Sequence, residues 1–256
     1  MAKDTEFTNA TLRRYLAFII ALLAGLLILL LAYYMLTKPP VSEGAKVQKD
    51  FTHLFSIYGF EGDLLNRPSG VAIDDQGQIY VADTGKHRIV VFDRNGNYVT
   101  QFGEKGDSKF QIKNPIGVAV APDGRIYVLT KSLKKIVIYD LQRKPVREIK
   151  FDWQPTSLIV HDNRLYVTTR RGVMIGDLDG RLLSTFGKWG KAPGEFDLPG
   201  GIVVADDGKI YVADSLNYRV QALTKDGKPI WQYGKPLPES EAIQYRGSDR
   251  KFGLPA

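Results

Sequence analysis

Cysteine is absent from this 256-residue chain. That excludes a disulfide framework, a thiolate metal site, a cysteine nucleophile and a lipidated thiol. Histidine is nearly as scarce. The three copies, His53, His87 and His161, stand far apart and are expected in different places, so they form no converging ligand set. No phosphate-binding glycine loop, dinucleotide fingerprint or serine-nucleophile motif occurs either. Acidic residues are plentiful, but most fall in Asp-Gly pairs whose role is to shape turns. No catalytic residue, metal ligand or cofactor is therefore expected.

What the chain does have begins with an uncharged apolar run over 15–36, from Tyr15 to Leu36. At about 1.5 Å rise per residue, a helix of this length crosses a bilayer core. It is apolar all round, with tyrosines toward both ends, as lipid requires. Arg13 and Arg14 abut its N-terminal end. The positive-inside rule then makes 1–14 a cytoplasmic tail and puts everything after residue 36 outside. A cleaved signal peptide is the rival reading, but no small-x-small site follows the run. Pro39 and Pro40 stop the helix, and 37–50 reads as a linker. The formal charge of +7 falls only to +6 without this segment, since the residues after 36 carry 32 basic and 26 acidic side chains. The excess belongs to the folded part and favours anionic partners in general.

From residue 51 onward the chain repeats itself. Ile79-Tyr-Val-Ala-Asp83 returns at Ile126–Thr130, Leu165–Thr169 and Ile210–Asp214, with the tyrosines 47, 39 and 45 residues apart. Such a period marks a repeat architecture. The first unit alternates as a strand over Gly70–Asp74, turns, and gives a second strand at Ile79–Asp83. Arg88–Asp93 and Asn97–Phe102 supply the third and fourth. Asn95-Gly96 and the later Asp-Gly pairs offer the positive φ of two-residue hairpins. Four short antiparallel strands make one blade of a β-propeller. The repeats run over about 68–103, 115–150, 155–187 and 199–234, and the class is all-β.

Pro-x-Gly-Val-Ala-x-Asp, Ile-Tyr-Val-Ala-Asp, Lys86-His87-Arg88 and Phe102-Gly103 together resemble the NHL repeat, and Asn217-Tyr218-Arg219 is a second version of its naming triplet. The resemblance covers roughly 51–256 and implies a six-bladed propeller, here of a membrane-anchored bacterial type. Uses in that family range over RNA binding, protein binding, extracellular sensing and, in a minority, metal-dependent lyase chemistry. Fold is thus implied far better than function.

The pattern breaks at both ends. Residues 51–59 read as a detached fourth strand closing a ring, because Tyr58-Gly59 matches Phe102-Gly103. At the other end, after a polar stretch over 235–251, Phe252-Gly-Leu-Pro-Ala256 resembles Phe196-Asp-Leu-Pro-Gly200 and starts a fifth repeat. The expectation is a fragment of a longer ring, because four blades alone leave edges and faces bare.

Two sets of residues stand out. Asp83 and Arg88, and likewise Asp214 and Arg219, stand five apart across a loop, and in the second unit both partners change, to Thr130 and Lys135. They read as ion pairs bracing the loop. The loops expected to share one rim carry Lys86, His87, Lys134, Lys135, Arg170, Arg171 and Lys188, with Trp189 and Tyr218 among them. A basic rim with aromatics could hold a protein or an anionic polymer. Nucleic acid is not expected, given the topology. The sequence thus reads as a membrane-anchored, extracytoplasmic binding, scaffold or sensor module. The alternative is a lyase- or hydrolase-type enzyme acting in the propeller channel. A third reading, a subunit of a membrane complex, would show as an apolar patch on the blade edges.

Overall fold

The structure is a computed structural model that describes residues 16, 20, 22–30, 33 and 53–234. The expected tail over 1–14, the linker over 37–50 and the start of a fifth repeat at 252–256 lie outside these residues. Two compact units divide at Leu54. In the first, residues 22–30 are helical with exposed side chains. Among the described residues no helix is long and apolar enough to cross a membrane, and much of the expected span over 15–36 lies outside them.

The second unit is built of four four-stranded antiparallel sheets preceded by a small hairpin, β1 (Gly59–Phe60) with β2 (Asp63–Leu64). Blade one comprises β3 (Pro68–Ile73), β4 (Ile79–Asp83), β5 (Arg88–Phe92) and β6 (Tyr98–Phe102). Blade two comprises β7 (Pro115–Val120), β8 (Ile126–Thr130), β9 (Lys135–Tyr139) and β10 (Pro145–Lys150). Blade three holds β11 (Pro155–His161), β12 (Arg164–Thr169), β13 (Gly172–Asp177) and β14 (Leu182–Phe186). Blade four holds β15 (Pro199–Val204), β16 (Ile210–Asp214), β17 (Arg219–Leu223) and β18 (Pro229–Gly234).

Within each blade the strands pair in chain order. Every first strand opens on a proline and slips register within two residues, as between Pro68 and Gly70. Proline has no N–H to donate, so it suits the first position of a strand beside a bulge. The first strands pack in sequence, β3 on β7, β7 on β11 and β11 on β15, with no comparable packing of β15 back onto β3. The approach is close: a Cβ on Gly70 would lie 2.8 Å from the Gly117 backbone.

Blades stack face to face. Tyr80, Ala82, Ile89 and Val91 of blade one meet Val118, Ile126, Val128 and Val137 of blade two. Blades three and four join likewise through Val173, Ile175, Ile202 and Val212. Burial of each large aliphatic side chain contributes roughly 1.5–3 kcal/mol. Both faces of an interior sheet are covered, which is why the second and third strands are almost unbroken Val, Ile and Tyr.

Two expectations need correction. The Asn-Gly and Asp-Gly turns are not two-residue hairpins with two positive φ values. At the first, Gly96 donates to the Asp93 carbonyl and Asp93 donates to Asn97, and of residues 94–97 Gly96 alone has positive φ. The Asp93 carboxylate accepts from the Asn95 and Asn97 N–H groups and stabilises this longer turn. Residues 53–58, in turn, belong to no strand. A strand needs a ladder, and none of the described strands pairs with them in one, although the Tyr58 carbonyl accepts the Leu65 N–H beside β2 at 2.8 Å. Their side chains nevertheless occupy the place of an outer strand. Phe55 and Ile57 lie over Gly96 of blade one just as Ile149 lies over Gly180 and Phe186 over Gly227. Ile57, Phe60 and Leu65 thereby cover Val81, Val90 and Phe92.

Candidate ligand-binding rim

Each first strand runs from a blade-to-blade connection to a tight turn, so the Asp-Gly turns form one rim. The connections and the loops between second and third strands form the other. Hydrogen bonds tie these two kinds of loop together: Asn114 N–H donates to His87 Nδ1 at 2.9 Å, and Ser132 Oγ donates to the Lys113 carbonyl at 2.9 Å.

The first residue of the third strand clamps the segment entering its own blade. In blade one, Arg88 Nε donates to Asp83 at 2.9 Å and Nη1 to Asp63 of the small hairpin at 2.6 Å, and Lys86 also pairs with Asp63. Donation from Arg88 and then Lys86 lowers the Asp63 carboxyl to about 2. In blade four, Arg219 is buried against Asp214 at 2.9 Å. Its guanidinium also donates to the carbonyls of Lys191, Ala192 and Glu195 at 2.7–2.9 Å. Asp214 in turn accepts the Asp197 N–H at 2.7 Å, and Asp83 accepts the Asn66 N–H at 2.7 Å.

Blade two reaches the same end with other residues. Lys135 is buried, pairs with Glu148 at 2.5 Å and donates to the Ser108 carbonyl at 3.0 Å. Burial alone would raise the Glu148 carboxyl, but Lys135 and the Phe110 N–H hold it below its ordinary value. Lys135 is therefore withdrawn from the expected ligand-binding set: its ammonium is spoken for inside the protein. His87 is engaged as well, and burial, then Lys105, Lys113 and Arg67, lower its pKa. Lys134 Nζ donates to the Asp152 carbonyl at 3.4 Å, and half-exposed Tyr218 sits in left-handed backbone on blade four.

Blade three has no clamp. Gly172 stands where the others carry Arg or Lys, and Arg170 and Arg171 occupy a two-residue turn pinned by the Arg171 N–H on Thr169 Oγ1 at 3.2 Å. Here the structure brings together part of the expected set. Arg170, Arg171, Lys188 and Trp189 line a cleft of about 560 Å³ with Trp153. The Arg171 guanidinium lies 3.6 Å from the Trp153 ring centroid, a cation–π contact. Arg170 and Lys188 are 63% and 77% exposed on their side chains. Their acidic neighbours are Asp197 at 3.8 Å and Glu195 at 3.1 Å. Exposed pairs of this kind contribute little and exchange readily for a ligand. Trp153 is absent from the sequence-based set, although it stands in the shortest blade-to-blade connection, on the rim that was singled out.

A second cleft, of about 550 Å³, opens on the opposite rim between the turns of blades one, two and three, lined by Asp74, Asp123, Arg143 and His161 among others. Among the described residues no group of three His, Cys, Asp or Glu is placed to hold a metal ion.

The NHL repeat profile matches residues 65–92 and 196–223, which are the entering loops and first three strands of blades one and four. The chain carries NHL repeats. Protein brain tumor of Drosophila melanogaster is 43% identical over 75 residues, which is 29% of this chain and 7% of that protein. The chain thus spans a small fraction of the curated relatives it matches. Among solved structures, the Swd1 β-propeller domain of Myceliophteria thermophila superposes with a TM-score of 0.50 at 12% identity, covering 66% of this chain and 56% of that one. A virginiamycin B lyase from Staphylococcus aureus superposes with a TM-score of 0.53 at 16% identity, covering 68% and 57%. At these identities the likeness concerns the fold. The NHL unit here is an all-β propeller blade, and its rim is where the repeats differ from one another.

Proposed function

We propose that this protein is a binding module whose basic rim engages an acidic protein segment or another anionic polymer. The observation that carries the reading is the Trp153–Arg170–Arg171–Lys188–Trp189 cleft on blade three. It joins exposed cations to exposed indoles at the blade whose rim loop has been freed from structural duty. Cations supply long-range attraction and indoles supply short-range contact area, the combination that concentrates affinity at a few residues. The four blades belong to a six-bladed ring, supported by Phe55 and Ile57 lying where the outer strand of a preceding blade would lie. Residues 15–36 anchor the module in a membrane with the propeller outside, supported by the uncharged run and the paired arginines before it.

Titration with poly-L-glutamate tests the rim reading. In a Trp231→Phe background the remaining indoles are Trp153 and Trp189, so emission reports the cleft. Binding should weaken as salt rises. It should also weaken roughly tenfold in the Arg170→Ser, Lys188→Ser double variant, about 1.4 kcal/mol. Unchanged emission, or binding indifferent to both substitutions, refutes the reading.

A further inference from the structure

The cleft of about 550 Å³ on the turn rim, between blades one, two and three, is separate from the basic cleft on the other rim. Two irregularities of the repeat converge on it. The turn between third and fourth strands closes alike in blades one, three and four. Gly96, Gly180 and Gly227 donate their N–H to the carbonyls of Asp93, Asp177 and Thr224, with φ of +85°, +85° and +79°. In blade two the same place, with the same bond to Asp140, is held by Arg143 at φ +62°. Left-handed backbone strains any residue with a Cβ. Strain kept at one place of four points to a use for the side chain. The second irregularity lies in blade three. Its first turn has two residues, Asp162 and Asn163, both in left-handed backbone, where 74–78, 121–125 and 205–209 make longer turns. His161 and Asp162 thereby stand at the edge of the cleft.

Arg143 reaches from blade two to blade one, where its Nη2 donates to Gln78 Oε1 at 3.2 Å. Its Nε is buried and has no acceptor among the described residues. A buried guanidinium N–H without a partner is costly, so this edge calls for an oxygen. His161 Nε2 is likewise buried without a hydrogen bond, 3.5 Å from the Asp162 carboxylate. The carboxylates of the lining differ in how far they are engaged. Asp74 accepts the N–H groups of Gln76 and Gln78 and the Tyr80 hydroxyl, and Asp123 pairs with Arg125 at 2.8 Å. Asp75 is exposed and has neither a hydrogen bond nor an ion pair among the described residues. Asp162 is 82% exposed on its side chain.

We propose that this cleft binds a small zwitterion, a free amino acid or a short peptide, with its carboxylate on Arg143 and its ammonium at Asp75 or Asp162. The charge balance of the lining chooses this class. A simple anion would satisfy Arg143 but face the carboxylates of Asp74, Asp75 and Asp162. A simple cation would suit those carboxylates and leave the Nε donor empty. One molecule carrying both charges meets both demands. Nη2 of Arg143 retains a second N–H beside that of Nε, so this edge can offer a carboxylate two bonds. The volume lies in the range of small-ligand sites. The proposal is independent of the basic cleft.

Saturation-transfer NMR on the full-length protein, first with the standard amino acids and then with di- and tripeptides of them, tests the proposal. At least one zwitterion should give a saturable signal. A response to peptides alone names a peptide as the source, and a response to free amino acids names those. The N-acetyl and carboxamide derivatives of the best binder should bind roughly tenfold or more weakly, since each removes one charged contact. Arg143→Gly should weaken binding as much and leave poly-L-glutamate binding unchanged. It should also raise the urea midpoint, because glycine suits the left-handed turn. Absence of any saturable zwitterion overturns the proposal, as do derivatives that bind as tightly as the parent compound, or Arg143→Gly binding as the parent protein does. If the midpoint falls instead, the Asp75→Asn, Asp162→Asn double variant decides, because these exposed carboxylates brace no strand. Several-fold weaker binding of the zwitterion then supports the proposal, and unchanged binding overturns it.

Discussion

Replacing Arg219 by Met tests whether the rim is held by buried charge. The guanidinium is 1% exposed and its Asp214 partner 0%. Removing it leaves the carboxylate with the Asp197 N–H at 2.7 Å, Asn217 at 2.9 Å and Gln221 at 3.2 Å, and no cation. The carbonyls of Lys191, Ala192 and Glu195 each lose the guanidinium as well, although the Glu195 N–H still donates to Ala192 and Gln221 to Glu195. Breaking a buried pair from one side costs about 3–5 kcal/mol. For a domain of this size that is roughly 6–20 °C in Tm. Urea melts followed by tryptophan emission measure the loss. Asp214→Asn added to Arg219→Met should recover part of it, because no buried charge then remains unpaired. A functional consequence follows from the same geometry. The 188–198 connection carries Lys188 and Trp189, so Arg219→Met should also weaken poly-L-glutamate binding at temperatures where the variant is still folded. A loss below about 1 kcal/mol would refute the reasoning, since it would mean the pair is solvated in solution.

Two further outcomes follow from the same geometry. Gly187→Ala places a Cβ 2.5 Å from the Phe196 ring in left-handed backbone, which should cost about 2–5 kcal/mol from strain and displaced packing together; a urea midpoint equal to that of the parent would contradict it. The Glu148 carboxyl sits below its ordinary value of 4.5, so its pairing with Lys135 stabilises fully above that pH and is lost as pH falls through the lowered value. Stability measured from pH 6 to pH 3 should therefore drop less steeply in Glu148→Gln than in the parent, and parallel curves would rule the pairing out as a cause.

The blades were legible because their physics is local. Alternating apolar strands, the Tyr-centred second strand and the glycine turns recur with one period, and each announces itself within a few residues. The Asp83–Arg88 and Asp214–Arg219 pairs could be read for the same reason, since partners five apart face each other across one loop. What escaped was long-range. Asp63 meets Arg88 from 25 residues away and Glu148 meets Lys135 from 13, too far along the chain for local pattern to reveal that the Lys135 ammonium is engaged. Trp153 escaped because a charge-based search of the rim passes over an indole in a connection with few cations of its own. The small β1–β2 hairpin escaped because each of its strands is two residues long, too short for periodicity to register.

The N-terminal stretch over Gly96 has a mechanical meaning. Phe55 and Ile57 pack over Gly96 outside the strand ladders of the described blades. Tension arriving from the N-terminal side loads this contact first. Losing it would lift Ile57 from the cluster of Val81, Val90 and Phe92 and leave the blade ladders intact. The next resistance is the Asp63 pairing with Arg88 and Lys86. Pulling on this end therefore meets a packing contact before a charged one, and both lie outside the blade ladders.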